Sequence, residues 1–267
     1  PRLNRRMHNK SLTADNQYTI VGGRNIGDEY FNVTTEIGFA DLDVLAKGEV
    51  AEDVSRDFDR YWASGSSYPF FSIAPRADAE KGRLKLHRSR RDDAEIRANY
   101  LDELAASPLA AAISEGNVPW QYADARLISD DPAKGLARDK ELPAIADSLL
   151  EALGKPEKDV FIVSPYFVPS KWGMAALRDL TANNVKVTVL TNSLRATDVA
   201  AVHSGYARYR KDLLNAGVEL YEVKPDFAPP KIRDKGLTGS STTSLHAKTF
   251  VVDGKRVFIG SLNFDPR

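Results

Sequence analysis

The chain of 267 residues contains no cysteine and only four histidines. The lack of cysteine excludes a disulfide framework, a thiolate nucleophile and a thiolate metal site. The histidines do not occur in a His-Glu-x-x-His or similar ligand cluster, so we expect no metal site and no cofactor. Any chemistry must therefore come from the other polar side chains and from single histidines.

A net charge and a long apolar run are also missing. The 37 Lys and Arg residues balance the 37 Asp and Glu residues, so any anion-binding site must be local. The given sequence contains no apolar run of about 18 residues, and we expect no signal peptide within it. What is present, 42% hydrophobic and 28% charged residues, is typical of a globular chain with two cores or one large pseudo-symmetric core.

The strongest pattern in the sequence is a spaced motif that occurs twice. It reads His-x-Lys, four residues, Asp, six residues, Gly-x-x-Asn, and the second copy lies 238 positions after the first, since 246 minus 8 is 238. Five matches at one constant offset are an improbable coincidence, so they indicate an internal duplication. The members are His8, Lys10, Asp15, Gly22 and Asn25 in the first copy and His246, Lys248, Asp253, Gly260 and Asn263 in the second.

The spacing inside each motif predicts where its side chains point. In an extended strand, side chains two residues apart share one face, so His246 and Lys248 should project together. The same holds for His8 and Lys10. An imidazole and an ammonium group from each copy would then converge on one spot.

The middle of each motif predicts a hairpin turn. Asp253-Gly254 is a turn signal, and Asp15-Asn16 stands at the same place in the first copy. Asp253 follows His246 by seven residues, an odd number, so along an extended strand its side chain would lie on the face opposite to that of His246 and Lys248. We therefore favour a structural or orienting role for the motif aspartates, Asp15 and Asp253, over direct catalysis, although their place among the motif residues keeps them candidate catalytic residues. On the return strand, Ser261 and Asn263 share a face and could contact the same phosphate.

The duplicated motif resembles the paired signature of the phospholipase D superfamily. The second copy reads Gly-Ser-Leu-Asn, as is usual there, whereas the first reads Gly-Gly-Arg-Asn, with Gly23 in place of the usual Ser. Three further stretches are similar to the bacterial cardiolipin synthases. They are Gly-Gly-Arg-Asn-Ile-Gly-Asp-Glu-Tyr-Phe at 22–31, Ser-Pro-Tyr-Phe-Val-Pro at 164–169 and Asn-Phe-Asp-Pro-Arg at 263–267.

Two facing His-Lys pairs would suit in-line displacement at a phosphodiester without a metal ion. One neutral His attacks phosphorus and forms a phosphohistidine, while the other donates a proton to the leaving oxygen and later deprotonates the acceptor. We assign His8 as the nucleophile and His246 as the acid and base, although the pseudo-symmetry makes the roles nearly interchangeable. The groups expected to contact phosphate oxygens are Lys10, Lys248, Asn25, Ser261 and Asn263.

The resemblance implies transfer of a phosphatidyl group to phosphatidylglycerol, with phosphatidylglycerol or phosphatidylethanolamine as donor. It also implies a peripheral protein of the bacterial inner membrane, with phospholipids and the membrane surface as partners. A basic run in the segment 81–91 could hold anionic headgroups or be a solvated face. The lack of a basic stripe with interleaved aromatic residues disfavours nucleic acid.

Other functions remain open at this stage. A phospholipase D-type hydrolase would use the same intermediate, because water and an alcohol compete for it. An endonuclease of the same fold and a non-enzymatic lipid-binding module are further alternatives. The lone helical His203 fits a structural or substrate-lining role better than a catalytic one.

The predicted fold is α/β, with two phospholipase D-like repeats, mixed sheets flanked by helices and the active site at the repeat interface. We place the repeats at residues 1–112 and 113–267. Apolar periodicity predicts alternating elements, and the linker 226–244 is expected to be a long loop beside the site. Strands are predicted at 39–46, 120–128, 160–164, 185–191 and 218–223, and helices at 49–64, 92–106, 142–153, 171–183 and 198–216.

In the resembled family an acidic residue on the strand after each motif orients the His of the opposite motif. Asp41 matches that place, so we expect it to pair with His246. Adding 238 to 41 gives 279, which lies beyond Arg267, so His8 should lack an equivalent acid here. Because Pro1 is not a natural start, we expect that the N-terminus is missing too and that this piece is nearly inactive while the intact protein is active.

Overall fold

A computed structural model of the chain describes residues 7–31, 37–69, 72, 94–133, 145–224 and 242–264. The basic run at 81–91 lies outside the described residues, as does most of the linker 226–244. The end of that linker is not a loop, because residues 242–244 belong to a strand.

Strands and helices alternate through the second half of the chain, as predicted. The strands are β1 (Ser11–Ala14), β2 (Tyr18–Gly22), β3 (Ile37–Ala40), β4 (Asp43–Lys47), β5 (Asp159–Val163), β6 (Lys186–Asn192), β7 (Glu219–Val223), β8 (Thr242–Leu245), β9 (Thr249–Val252) and β10 (Arg256–Ile259). The helices are α1 (Glu49–Trp62), α2 (Ala94–Ala105), α3 (Pro108–Ser114), α4 (Ile145–Leu153), α5 (Ser170–Ala182) and α6 (Ala200–Asn215).

The described strands form three sheets. A five-stranded sheet has the order β10-β9-β5-β6-β7, in which β5, β6 and β7 are parallel and β9 and β10 are antiparallel. A three-stranded antiparallel sheet has the order β1-β2-β4, and β3 pairs with β8 in a parallel two-stranded sheet. The mixed α/β class is therefore confirmed.

The main core lies on one face of the five-stranded sheet. Alternate residues of β5 and β6 project to this face and pack against α5 and α6, because side chains alternate along a strand. Burial of each such side chain stabilises the fold by about 1.5–3 kcal/mol. The buried cluster includes Val160, Ile162, Met174, Leu177, Val187, Val189, Tyr206, Leu213, Phe250 and Val252.

The two motif hairpins have the same geometry. Ser11 pairs with Val21 in β1–β2, and Thr249 pairs with Ile259 in β9–β10, so the registers are related by the same offset of 238. Both turns have left-handed central residues, with φ of 52° and 55° at Asp15-Asn16 and of 55° and 61° at Asp253-Gly254. Asp, Asn and Gly tolerate this conformation best. The hairpin predictions are confirmed.

The chain divides into two compact units, of which one consists of Pro1–Tyr61 with Arg126–Arg267 and the other of Trp62–Ala125. Both motifs belong to the first unit. The second unit contains α2 and α3, and the Ser107 hydroxyl accepts a hydrogen bond from the Ala110 N–H to cap α3. The repeat boundary at 112/113 stays a prediction.

Two strand predictions were wrong. Residues 120–128 form neither a helix nor a strand, since within the described ranges they pair with no other strand. The strand predicted at 39–46 is broken at Asp41-Leu42, because β3 pairs with β8 whereas β4 pairs with β2. Asp41 and Asp43 therefore do not share a strand face.

Asp253 ties the second hairpin to the start of β5. Its carboxylate accepts hydrogen bonds from the backbone N–H groups of Lys158 at 2.8 Å, and of Glu157 and Asp159 at 3.1 Å. These hydrogen bonds lower the pKa of Asp253, and the bond from the Lys158 N–H has the largest effect. Desolvation acts in the opposite direction but is outweighed, and the Arg256 guanidinium 3.4 Å away lowers the pKa further. A structural role for this motif aspartate follows.

We expect Asp253→Asn to lower the midpoint of thermal unfolding at neutral pH. Because the folded-state pKa is depressed, the carboxylate stabilises the fold above the unfolded-chain pKa of about 3.9, and this contribution is lost as pH falls through the folded-state pKa. The difference between variant and parent should therefore shrink in acid, as measured by circular dichroism.

Asp15→Asn is the matched control, because Asp15 holds the same turn position and has no hydrogen-bond partner within the described ranges. It should leave the midpoint unchanged. Equal destabilisation by both substitutions would contradict an anchoring role specific to Asp253.

Candidate active site

The His-x-Lys residues of each motif lie immediately before a strand and not within one, so this part of the prediction was wrong. Residues 8–10 precede β1, and residues 246–248 lie between β8 and β9. The second segment leaves the ladder because the N–H groups of His246 and Ala247 both donate to the Ala40 carbonyl, at 2.7 and 3.1 Å. The chain changes its pairing partner here, from β3 to the five-stranded sheet.

Within each motif the lysine folds back onto its histidine. Lys10 Nζ donates to the His8 carbonyl at 2.8 Å, and Lys248 Nζ donates to the His246 carbonyl. Lys248 Nζ also lies 3.1 Å from Nδ1 and 3.3 Å from Nε2 of His246, in a side chain that is 1% exposed. The predicted convergence of imidazole and ammonium is thus present.

Asp41 lies beside His246 because of the register between β3 and β8. The last pair of this parallel ladder is Ala40 with Leu245, so the next residues along the two strands are Asp41 and His246. His246 Nδ1 lies 2.6 Å from Asp41 Oδ2, and their side chains are 8% and 0% exposed. The predicted contact between these two residues is confirmed.

The Asp41 carboxylate is stabilised in its charged form. Burial by itself would raise the pKa of Asp41, but the hydrogen bond with His246 opposes it. A hydrogen bond from the Leu42 N–H at 2.9 Å and the nearby charges of His246 and Lys248 act in the same direction. The pKa of Asp41 therefore lies below its ordinary value, and the carboxylate can stabilise a protonated His246.

Tyr30 also contacts His246, which sequence reasoning did not find. Its Oη lies 3.4 Å from His246 Nε2, and the rings meet edge to face with centroids 5.0 Å apart. Asn25 Nδ2 donates to the same Oη at 2.7 Å. Burial raises the pKa of Tyr30, so the phenol stays protonated. Tyr30 lies inside the stretch 22–31, whose similarity to the bacterial cardiolipin synthases was a sequence signal that could have identified it.

The charges around His8 favour a neutral imidazole. His8 is exposed at the surface of the site, but protein atoms remove part of the hydration of its ring. This desolvation, followed by the positive charges of Lys10, Lys248 and His246, lowers the pKa of His8 to about 4. A hydrogen bond with the Ser261 backbone opposes the shift. Among the described residues no carboxylate hydrogen-bonds with His8.

The two motif lysines share one electrostatic environment. Desolvation lowers the pKa of Lys10 to about 8, with Asp41 opposing the shift. Desolvation also lowers the pKa of Lys248 to about 8, with Asp41 and Asp198 opposing and Lys10 adding to it. At neutral pH both ammonium groups are therefore mostly charged and face a site with a neutral His8.

Gly23, which departs from the usual motif, makes room for Asp41. A Cβ atom at this position would lie 2.4 Å from Asp41 Oδ1 and 2.9 Å from Oδ2. The Asp41 carboxylate is held by His246, so it could not move aside without breaking that contact. The first motif thus lacks the usual Ser hydroxyl at position 23, where its backbone passes close to the Asp41 carboxylate.

The remaining predicted residues divide into two groups. Ser261 and Asn263 are half-buried, and within the described part of the chain Asn263 Oδ1 is buried without a hydrogen-bond partner. The aspartates of the motifs lie elsewhere, because Asp15 and Asp253 occupy turns separated from the His-Lys residues by the whole of β1 or β9.

The stretch 164–169 supports the end of the second motif. The buried Ser164 Oγ accepts a hydrogen bond from the Phe264 N–H at 3.3 Å, and Phe264 stacks on Phe167 with centroids 5.0 Å apart. Tyr166 donates its hydroxyl to Asp198 Oδ2 at 2.7 Å. Asp198 was not singled out from the sequence, which placed it at the start of the predicted helix 198–216, whereas in the structure it lies in the loop before α6.

His203 lies apart from the motif residues in the buried part of α6. It is 7% exposed, its Nε2 is 3.3 Å from Arg210 Nη2, and its ring packs edge to face on Tyr206. These contacts favour the structural interpretation of this histidine.

Residues 149–267 match the family described as "Cardiolipin synthase, PLD-like domain". The chain is 49% identical to Cardiolipin synthase C of Escherichia coli (strain K12), a match that covers 100% of this chain and 56% of that protein. It is 26% identical to a cardiolipin synthase of Geobacillus kaustophilus (strain HTA426), covering 99% of this chain and 41% of that protein. The chain spans about half the length of the relatives it matches.

The fold of this chain is similar to that of a solved structure. The phosphatidylserine synthase of Haemophilus influenzae Rd KW20 superposes with a TM-score of 0.54 at 15% identity, covering 97% of this chain and 54% of that one. At this identity the likeness is evidence for the fold alone. Residues 149–267 therefore belong to this family of phospholipase D-like domains, and the chain as a whole is similar to the bacterial cardiolipin synthases.

Proposed function

We propose that this chain carries the phosphatidyl-transfer site of an enzyme that makes cardiolipin. The donor is phosphatidylglycerol or phosphatidylethanolamine, and the acceptor is a glycerol hydroxyl of phosphatidylglycerol. The observation that carries the proposal is the unequal environment of the two motif histidines. His8 has a pKa of about 4 beside two lysines, whereas His246 is held by the buried carboxylate of Asp41.

In the first step, His8 is the nucleophile. Its neutral ring attacks the phosphorus of the donor, and the bond from phosphorus to the headgroup oxygen breaks. Protonated His246 donates its proton to that oxygen, so the headgroup leaves as an alcohol. Asp41 stabilises the charged form of His246 before the transfer and holds the orientation of its ring.

In the second step, His246 is the base. It removes the proton from the acceptor hydroxyl, whose oxygen attacks the phosphorus of the phosphatidyl-histidine. The bond to His8 breaks, and the product leaves with the proton again on His246. General acid and base roles of this kind typically contribute ~10²–10⁴-fold to the rate.

Lys10 and Lys248 would neutralise the phosphate oxygens during both steps. At about 4 Å and an effective dielectric constant near 20, one such charge pair is worth on the order of 4 kcal/mol before desolvation. Lys248 is already buried, so its desolvation is part of the folded structure and not of substrate binding. Asn25, Ser261 and Asn263 complete the proposed phosphate-binding set, and Tyr30 offers a further hydroxyl.

We further propose that the protein acts as a peripheral enzyme at the bacterial inner membrane. Its lipid substrates require access to a bilayer surface, and the basic run at 81–91 supplies positive charge. No helix within the described residues is long and apolar enough to cross a bilayer.

The intermediate tests the reaction directly. In the full-length natural protein, rapid quenching with donor lipid followed by mass spectrometry should show a phosphatidyl group on His8. His8→Ala should abolish the adduct, and His246→Ala should slow turnover ~10²–10⁴-fold because proton transfer is lost. His203→Gln is the control and should change turnover little.

The lipid product decides between the proposed transferase and a hydrolase. Extracts from cells that overproduce the full-length protein should gain cardiolipin, whereas a gain in phosphatidic acid alone would indicate that water is the acceptor. An adduct on His246 would reverse the two roles. Full activity in His246→Ala would contradict the mechanism.

The pH dependence of kcat/KM should have two limbs set by the free enzyme. It should rise near pH 4 as His8 loses its proton. Besides the loss of the proton that His246 donates in the first step, the descending limb should include a fall above about pH 8 as Lys10 and Lys248 lose theirs. Because the two lysines titrate together, their part of this limb should be steep. Lys10→Arg should make it shallower, since arginine stays charged.

Lys255→Arg, which replaces an exposed lysine in the β9–β10 turn, should leave the steepness unchanged. The comparison uses the shape of the profile and not the absolute rate. An upper limb that is equally steep in Lys10→Arg would show that Lys10 is not one of the groups responsible.

Membrane attachment is tested with vesicles. Full-length protein should sediment with vesicles that contain phosphatidylglycerol at low salt, and the bound fraction should fall as salt screens the basic run. Neutralising the arginines and lysines of 81–91 should have the same effect as salt. Binding that ignores both salt and these substitutions would rule out the electrostatic contact.

A further inference from the structure

Asn192, the last residue of β6, is a buried polar side chain that the proposed mechanism does not use. It is 2% exposed. Its Nδ2 donates to the Leu245 carbonyl at 2.9 Å and lies 3.2 Å from Ser244 Oγ, while its Oδ1 accepts from the Leu245 N–H at 2.9 Å. One side chain therefore satisfies both backbone groups of the residue just before His246.

The amide takes the place of a neighbouring strand. Along a strand, the backbone groups of successive residues point to alternate sides, so those of Leu245 point away from the side on which β8 pairs with β3. On the β3 side, the next N–H, that of His246, donates to Ala40 at 2.7 Å. Without Asn192, the buried N–H of Leu245 would be left unsatisfied and its carbonyl would keep only the long 3.5 Å hydrogen bond from Ser244 Oγ.

This contact joins the two sheets that supply the site. In the two-stranded sheet, Asp41 follows the end of β3 and His246 follows the end of β8. The five-stranded sheet contains β6 and β9, and β9 begins directly after Lys248. Lys248 Nζ is 3.1 Å from His246 Nδ1, so a small shift between the sheets would change this distance and the contact with Asp41.

We propose that Asn192 is a positioning residue for His246, because its amide fixes the end of β8 and thereby the placement of the imidazole between Asp41 and Lys248. The inference rests on the proposed function only for its effect on turnover. Its effect on the histidine ring holds whatever reaction the site performs.

The chemistry of the amide makes the proposal specific. Leu245 presents one donor and one acceptor, and only a side chain with both an acceptor and a donor in one plane matches them. Asn192→Asp keeps the size and the acceptor but places a second oxygen against the Leu245 carbonyl. Asn192→Ala removes both bonds.

The test measures the ¹⁵N chemical shifts of the His246 ring in histidine-labelled protein, with the signals assigned through His246→Gln. These shifts report the tautomer and the hydrogen bond at each ring nitrogen, and the measurement needs no catalytic activity. We expect both Asn192 variants to alter the Nδ1 and Nε2 shifts. In the full-length protein, we expect kcat to fall ~10²-fold with KM nearly unchanged, as for a small misplacement of a catalytic group.

Two controls separate positioning from general stability. Leu213→Val alters a fully buried residue of α6 and should lower the unfolding midpoint without moving the His246 shifts. Ser244→Ala removes the 3.2 Å contact with Asn192 and a 3.5 Å hydrogen bond to the Leu245 carbonyl, but it keeps both bonds between Asn192 and Leu245 and should also keep the shifts. Gly23→Ala, which crowds Asp41, is the positive control and should move them.

Unchanged ring shifts in a folded Asn192 variant would overturn the proposal, whatever happens to activity. If Asn192→Ala does not fold, Asn192→Asp alone decides the outcome. If the shifts change in the Asn192 variants but the unsubstituted full-length protein has no transferase activity, the positioning role is supported and the proposed function is refuted. The two failures are therefore distinguishable.

Discussion

The hydrogen bond between Asp41 and His246 is the contact on which the site depends. It joins residues 205 positions apart in sequence, at 2.6 Å, and the carboxylate is fully buried. A buried carboxylate is costly unless it is paired, so the surrounding structure must keep the partner in place. The parallel ladder of β3 and β8 does this by register, since its last pair stands directly before these two residues.

The rest of the site follows from removing charged groups from water. Desolvation lowers the pKa of His8, Lys10 and Lys248, and the clustered positive charges strengthen the effect on His8. The anionic phosphodiester of the proposed reaction would relieve this repulsion. The same electrostatics favour a neutral His8, while His246 has the carboxylate of Asp41, so the environments of the two motif histidines differ.

Part of the fold and the site could be predicted because it depends on local chemistry. The alternation of apolar residues identified the helices and strands of the second half, and the Asp-Gly and Asp-Asn pairs identified both hairpins. Predictions failed where partners decide the outcome. Residues 120–128 have a strand-like composition, but no strand within the described ranges pairs with them, and the segment 39–46 breaks because its two halves join different sheets.

The sequence by itself determined the duplicated motif, its offset of 238 and the residue types that phosphoryl transfer requires. It also indicated Asp41, but only through resemblance to a family. Tertiary structure alone decided that Tyr30 contacts His246, that Gly23 leaves room for Asp41, and that Asn192 holds Leu245. The physical reason is that spacing along the chain fixes which side chains share a face, whereas contacts between distant segments depend on strand register and burial, which no local pattern encodes.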